Sequence, residues 1–404
     1  MADLTREQVI ERARAGKGFA REDLRELDLS GLELEGVDFG RAELDGANLE
    51  NTKLRGASFK NASLREAFLR GADLAEANFD KADLEGANLE RATIAGANLS
   101  RANLEGAKAV EARLAGARLT GAQLASADLG KADLEGANLD HAELAEAYLG
   151  GARLRGARMA AAAMNGANLE EADLTGASLE EASLEGAILR AADLSRASLA
   201  GGDLRRAQLT GARLIEADLR RTKLESANLE GATLTGARLA GVEAPGARVA
   251  GMVADWVDAS PEGDGSRRVA ASGVAALLEG KAAPVARYFG EGDVLRNATL
   301  EFGDGSSVQI DSRFENCSLT IGRGTELVVG EAGVLSQCTI SGAGNVTIHG
   351  SFFEARSPGI VGPSQLVVSS RGAVAGTVEQ LPEGTRFAFA PGCRLRLEIT
   401  KSRR

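Results

Sequence analysis

Residues Ala102–Leu124 read ANLEGAKAVEARLAGARLTGAQL. A small residue, a polar one, an aliphatic centre and two more residues return every five positions. The frame extends far in both directions from this stretch. Centres fall at Leu24, Leu29, Leu34, Phe39 and Leu44, and continue to Leu239, Ala244 and Val249, which makes 46 pentads without a slip. Departures are small: Ile94, Met159 and Met164 replace Leu, and Ala109 is one weak centre. Two positions before each centre the residue is mostly Ala, with Thr52, Thr222 and Gly202 among the exceptions.

A period of five fits neither common element. On an α-helix the centres would spiral around every side and never form a stripe. A strand alternates with period two. A chain that turns a corner at each pentad, with four corners to a coil, points every centre inward. It also lets stacked coils satisfy one another's main chain. Such a coil has twenty residues, and two columns test it. Phe39, Phe59 and Phe79 are spaced by twenty, so they should stack within the same interior as Leu24, Leu84 and Leu134. Arg113, Asp133, Arg153 and Asp173 share that spacing one residue before their centres. On adjacent coils about 4.8 Å apart they should form a ladder of alternating charge, continued by Asp193 and Arg213.

ADLAEANFDKADLEGANLE, Ala72–Glu90, carries the motif A(D/N)LXX. In this the chain resembles the pentapeptide-repeat proteins, over roughly residues 22–250. The resemblance implies an all-β fold, a right-handed quadrilateral β-helix about 55 Å long at the usual strand spacing. Open solenoid ends need caps. LTREQVIERARA, Leu4–Ala15, reads as a short amphipathic helix with Thr5 at its N-cap. Its Val9 and Ile10 should cover the first coil. Trp256 should plug the last.

Composition narrows the function. The 404 residues hold 4% aromatics and a net charge of -11, so direct nucleic-acid binding is disfavoured. No run of 18 apolar residues is present for a membrane span, and the N-terminal stretch lacks an apolar signal core, which points to the cytoplasm. Cys317, Cys338 and Cys393 lack metal-binding spacing and read as small core residues, and the histidines are His141 and His349 alone. No phosphate loop or nucleophile elbow occurs. Carboxylates fall almost wholly at solvent-facing repeat positions. Nothing here calls for a catalytic set, a metal or a cofactor.

Texture changes after residue 258. ASPEGDGSRR reads as a polar linker, and a short helix is expected from about Ser266 to Glu279. Then come short alternating strands ended by glycine, such as SLTIGRG, ELVVGEAG and CTISGAG. Their spacing fits a solenoid of longer rungs. TELVVGEAGVLSQCTISGAGNVTIHGSFFE and SQLVVSSRGAVAGTV resemble the bactofilins, bacterial β-helical cytoskeletal polymers. The expected organisation is a capping helix in 1–21, the rod in 22–257, a linker with a short helix in 258–290, and a smaller β-helical domain in 291–404.

The leading expectation is a non-enzymatic scaffold for an unidentified protein partner, with self-association through the bactofilin-like domain. On the rod, Phe68, Tyr148 and Ile188 occupy positions where neighbours carry Asp or Asn, and multiples of twenty separate them, so they form a candidate docking patch on one wall. The resemblance implies an alternative, since some pentapeptide-repeat proteins mimic duplex DNA and protect topoisomerases such as gyrase. Residues 22–250 hold 38 Asp and Glu against 27 Lys and Arg, a net of -11. A duplex of that length would carry roughly 30 charges, so the imitation would be thin. A secretion-machine adaptor is a third possibility that no residue selects.

Overall fold

The computed structural model describes residues 4–263 without a break and, between 268 and 400, the strands and turns named below. The chain divides into two compact units, residues 1–255 and, apart from Leu278–Gly280, residues 256–404.

The first unit is a four-sided parallel β-helix. Single bridges join each residue before a centre to the one twenty positions on, from Asp23↔Glu43 to Thr233↔Val253. The pentad Asp133–Ala137 shows why the motif takes its form. Asp133 donates its N–H back to Ala112, and Leu134 donates forward to Arg153 at 2.8 Å. Gly136 also donates forward, to Arg155, and Ala137 closes a turn onto Leu134. That leaves the N–H of Glu135, which the Asp133 carboxylate accepts at 3.3 Å. Asn138 does the same for Asp140 at 2.9 Å. Asp or Asn before the centre therefore satisfies the one donor the coils cannot reach.

The corner's second residue takes a left-handed φ in pentad after pentad, as at Gly116 (65°) and Lys131 (55°). Centres and the preceding Ala point inward and are buried, including Leu24, Leu84 and Leu134. Phe39, Phe59 and Phe79 stack with centroids 5.0 and 4.8 Å apart. The column begins one rung earlier than the repeat reading had it: Phe19 is buried and stacks on Phe39 at 5.4 Å. Where Thr replaces Ala, its hydroxyl donates to a carbonyl of the coil below, as Thr52 does to Leu29 at 3.0 Å.

Helix α1 (Arg6–Arg14) starts with a capping box between Thr5 and Gln8. Val9 is buried and Ile10 half-buried. The Arg12 guanidinium lies 5.0 Å from the Phe19 ring centre and pairs with Glu22 at 2.9 Å. Arg6 donates to the carbonyls of Asp28 and Ser30. The helix thus covers the first coil through an aliphatic side chain and two arginines.

The second unit opens with β1 (Trp256–Asp258), antiparallel to β2 (Arg268–Ala270). Trp256 is half-buried and lies in a strand of this unit. Strand β2 occupies part of the stretch expected to be helical, though Val274, Leu277 and Leu278 are helical.

Parallel coils of three strands follow. They are β3 (Ala286–Phe289), β4 (Val294–Arg296) and β5 (Thr299–Phe302), then β6 (Ser307–Ile310), β7 (Arg313–Glu315) and β8 (Ser318–Ile321). The next two coils are β9 (Glu326–Val329), β10 (Val334–Ser336) and β11 (Thr339–Gly342), then β12 (Asn345–Ile348), β13 (Ser351–Phe353) and β14 (Ile360–Val361). Strands β15 (Gln365–Val368), β16 (Ala373–Glu379), β17 (Arg386–Phe389) and β18 (Arg394–Thr400) complete the stack. Strand β16 is long enough to pair with both β13 and β14, so two faces merge there. The interior holds Val308, Phe314, Leu319, Leu327, Leu335 and Ile340. The solenoid thus begins at Ala286, within the stretch expected to be linker.

Candidate functional site

The rod offers four walls, each with one outward column. One column is built on Asp28, Asn48, Phe68, Asn88, Lys108, Asp128, Tyr148, Asn168, Ile188 and Gln208, bridged in that order. The three apolar residues picked out in the sequence therefore share one wall. They are not equivalent: Phe68 and Tyr148 are 48% and 47% exposed, whereas Ile188 is half-buried. Phe68 and Tyr148 stand four coils apart with polar residues between them, so they do not merge into one patch.

Tyr148 has a seat that Phe68 lacks. The corner residue after each centre is glycine only at Gly40, Gly130 and Gly150 among the 46 pentads, and two of these three flank Tyr148. A methyl group on Gly130 would lie 2.9 Å from Tyr148 Cε1, and one on Gly150 would lie 2.5 Å from the hydroxyl oxygen. Neither glycine has a left-handed φ, and the ring in its present position is what a side chain at either one would meet first. The equivalent corners beside Phe68 carry Glu50 and Arg70. Pattern reading missed this shelf. Its signal was glycine at the first corner position, where the fold does not need it.

The expected charge ladder has the right register but closes only in part. Arg113, Asp133, Arg153, Asp173, Asp193 and Arg213 are bridged in sequence. Arg153 approaches Asp133 at 3.8 Å but sits closer to Glu135, at 3.1 Å. Asp173 is approached by Arg155 rather than Arg153, and Arg213 meets Asp193 at 3.2 Å. These exposed pairs contribute roughly 0–1 kcal/mol each. More enclosed is Asp218, held by Arg220 at 2.7 Å and Arg238 at 3.7 Å. Burial pushes its carboxyl up, but the Arg220 hydrogen bonds and both charges outweigh it and hold the group below the usual range.

In the second unit, Arg296, Asn297, Glu315, Asn316, Ser336 and Gln337 line an open concavity of about 420 Å³. Arg296 and Arg313 both pair with Glu315, at 2.7 and 2.8 Å. Cys317 and Cys338 are free and buried at matching corners of adjacent coils. Their thiols donate to main-chain carbonyls, Cys338 to Ser336 at 3.2 Å. Burial pushes the Cys338 thiol up to about 11. Cys393 lies outside the described residues. Among the described residues no group of His, Cys, Asp and Glu is arranged to hold a metal, and no helix is long and apolar enough to cross a membrane.

A rod of five-residue rungs, four to a coil, with Ala and Leu inside and Asp or Asn capping each corner, defines a right-handed quadrilateral solenoid. The family model "Pentapeptide repeats" matches it in eight copies, at residues 23–61, 53–91, 97–136, 117–156, 137–176, 152–190, 167–206 and 203–241. These span more than half of the chain, which belongs to the pentapeptide-repeat family.

Among solved structures the chain is similar to HetL, a pentapeptide repeat protein involved in heterocyst differentiation regulation from the cyanobacterium Nostoc sp. The identity is 30% over 63% of this chain and 96% of that one, with a TM-score of 0.33. It is 35% identical to a pentapeptide repeat protein of the Arabidopsis thaliana thylakoid lumen, over 28% of this chain and 75% of that one, with a TM-score of 0.15. It is 19% identical to QnrB1, a plasmid-mediated fluoroquinolone resistance protein, over 55% and 89% of the two chains, with a TM-score of 0.29. A comparison with curated proteins gave no match.

Proposed function

We propose that this chain is a non-enzymatic cytoplasmic scaffold. Its rod presents one wall to a protein partner, and its three-sided second unit serves as a further binding or self-assembly module, as the likeness to bactofilin rungs implies. The observation that carries the reading is the pair of exposed aromatics, Phe68 and Tyr148, on one wall of polar residues. An exposed ring on a rigid β-wall loses little conformational entropy when it is covered. The rod's other side chains serve the fold: centres fill the interior, Asp and Asn cap corners, and many arginines answer carboxylates one coil away.

Those arginine pairs weigh against imitation of a duplex, because they break the wall's negative charge into neutral stretches. The test separates the two readings. Full-length protein and a Phe68→Asp/Tyr148→Asp variant are used to capture partners from the source cell, with identification by mass spectrometry. Gyrase supercoiling is assayed alongside. A discrete partner kept by the native chain and lost by the variant supports the scaffold. Supercoiling inhibited at micromolar concentration by both proteins would overturn it in favour of the gyrase-binding alternative. Sedimentation of the full chain over a concentration series tests self-assembly, and a chain that stays monomeric throughout removes that part.

A further inference from the structure

We propose that Tyr148 is the platform of a docking site for an arginine-bearing segment of a partner protein. The inference rests on the scaffold reading and names the chemistry of its partner. The ring spans Gly130 and Gly150, either of whose side chains would displace it, and it remains 47% exposed. The two glycines hold the ring against the wall and leave its outer surface open. That is an expensive arrangement to keep for a purely solvated residue, since glycine adds conformational entropy to the unfolded chain.

Charge around the ring selects the occupant. Asp128 is bridged to Tyr148 on the coil before, and its Oδ1 accepts from the Gly130 N–H at 3.0 Å. Glu146 lies two residues before Tyr148, at a left-handed corner with φ 58°. Glu170 occupies the corner position of Gly150 one coil on, and its carbonyl accepts from Gly151 at 2.8 Å. Among the described residues none of these three carboxylates has an ion-pair partner. Glu171 stands beside Glu170, and Lys131 beside Gly130 is the opposing cation at this corner.

With four carboxylates, Asp128, Glu146, Glu170 and Glu171, at neighbouring positions against Lys131 and Lys108, the surroundings of the ring are net acidic, which disfavours phosphate and suits a cation. A guanidinium fits better than an ammonium. It is planar, stacks on the ring, and keeps its edge N–H groups free to meet Glu146 or Glu170. Phe68 lacks the shelf, and its neighbour Arg70 is a cation that approaches Glu90 at 3.8 Å, so the site belongs to Tyr148.

The probe is a fluorescein-labelled peptide alternating glycine with three arginines, titrated against the full-length protein by anisotropy. Matched lysine and citrulline peptides are the controls. Saturable binding is expected for arginine, weaker binding for lysine and none for citrulline. Tyr148→Ala should weaken the arginine peptide roughly tenfold, whereas Tyr148→Phe should retain it. Gly150→Val moves the ring and should act like Tyr148→Ala. Glu146→Gln with Glu170→Gln should flatten the salt dependence. Because Glu146, Tyr148 and Glu170 lie on the exterior, their variants should unfold at the native midpoint. Equal affinity for native protein and Tyr148→Ala, or no saturation by millimolar peptide, overturns the site. If partner capture nevertheless survives Tyr148→Ala and fails for Phe68→Asp, the scaffold reading stands and only this site falls.

Discussion

Two solenoids occupy one chain, and they solve the same problem by different means. In the rod the register between coils is twenty residues throughout, from Asp23↔Glu43 onward. In the second unit successive coils begin at Ala286, Ser307, Glu326, Asn345, Gln365 and Arg386, so the coil length drifts between 19 and 21. The rod carries one inward centre per five residues, and each corner is a similar turn. The second unit uses strands of two to seven residues with corners of differing size. Regular side-chain volume permits a constant pitch. Mixed volumes force each corner to be fitted individually, and glycine does that fitting.

Glycine shows the contrast most sharply. Around Gly116 in the rod there is open space, and equivalent corners carry Asn51, Asn61 and Lys131 at similar φ. In the second unit a methyl group on Gly350 would collide with the carbonyl oxygens of Gly330 and Gly333. Apart from Gly130 and Gly150, corner glycines such as Gly116 answer a backbone angle, whereas Gly333 and Gly350 of the second unit answer a shortage of space.

The largest expected effect tests the regular interior. Phe59→Ala removes the middle of a stack whose neighbours cannot move without breaking register, and should cost about 3–5 kcal/mol in chemical denaturation of the first unit. A loss below about 1 kcal/mol would mean that the rod collapses around voids more readily than its lattice implies.

Next comes the fitted corner of the second unit. With its thiol pushed up to about 11, Cys338 should react with a disulfide reagent at pH 8 at least about 100-fold more slowly than a free cysteine. This is measured in a Cys393→Ser background, and rapid labelling in the native state would show the corner to be open. Gly350→Ala should cost about 1–3 kcal/mol through overpacking. Gly116→Asn in the rod should cost well under about 1 kcal/mol. Similar losses at the two sites would erase the distinction.

The last comparison concerns charge, and its effect vanishes at low pH. Asp218 has a depressed pKa, so its pairing stabilises the fold above the usual aspartate pKa and is lost as pH falls through the folded-state value. Asp218→Asn should cost about 1–3 kcal/mol at pH 7 and little once the native carboxyl is protonated. A pH-independent difference between the two proteins would assign the effect to packing.

How much was legible follows the same division. The rod could be read almost residue by residue, because an inward centre every five residues has few geometric solutions. Even so the first rung is hidden: Phe19 falls in the stretch read as cap, since Lys17 and Gly18 stand where the motif has Ala and Asp or Asn. The three-sided solenoid was legible as strands but not as coils, because no fixed period marks them. On the walls, register was readable and side-chain direction was not. Arg153 could be placed beside Asp133 from spacing alone, but its preference for Glu135 depends on rotamers. The shelf under Tyr148 needed coordinates, since Gly130 and Gly150 are adjacent to it only once the coil length is known.

The twenty-residue coil also limits how such a chain can grow. Copying one pentad leaves every Leu inside but turns all that follows by a quarter circle, so Asp128 would no longer lie beneath Tyr148. Copying four pentads lengthens the shaft and returns each surface to its compass point. Genes for such rods can therefore drift in length by fives while their interiors stay intact, but only steps of twenty keep an address on the outside readable.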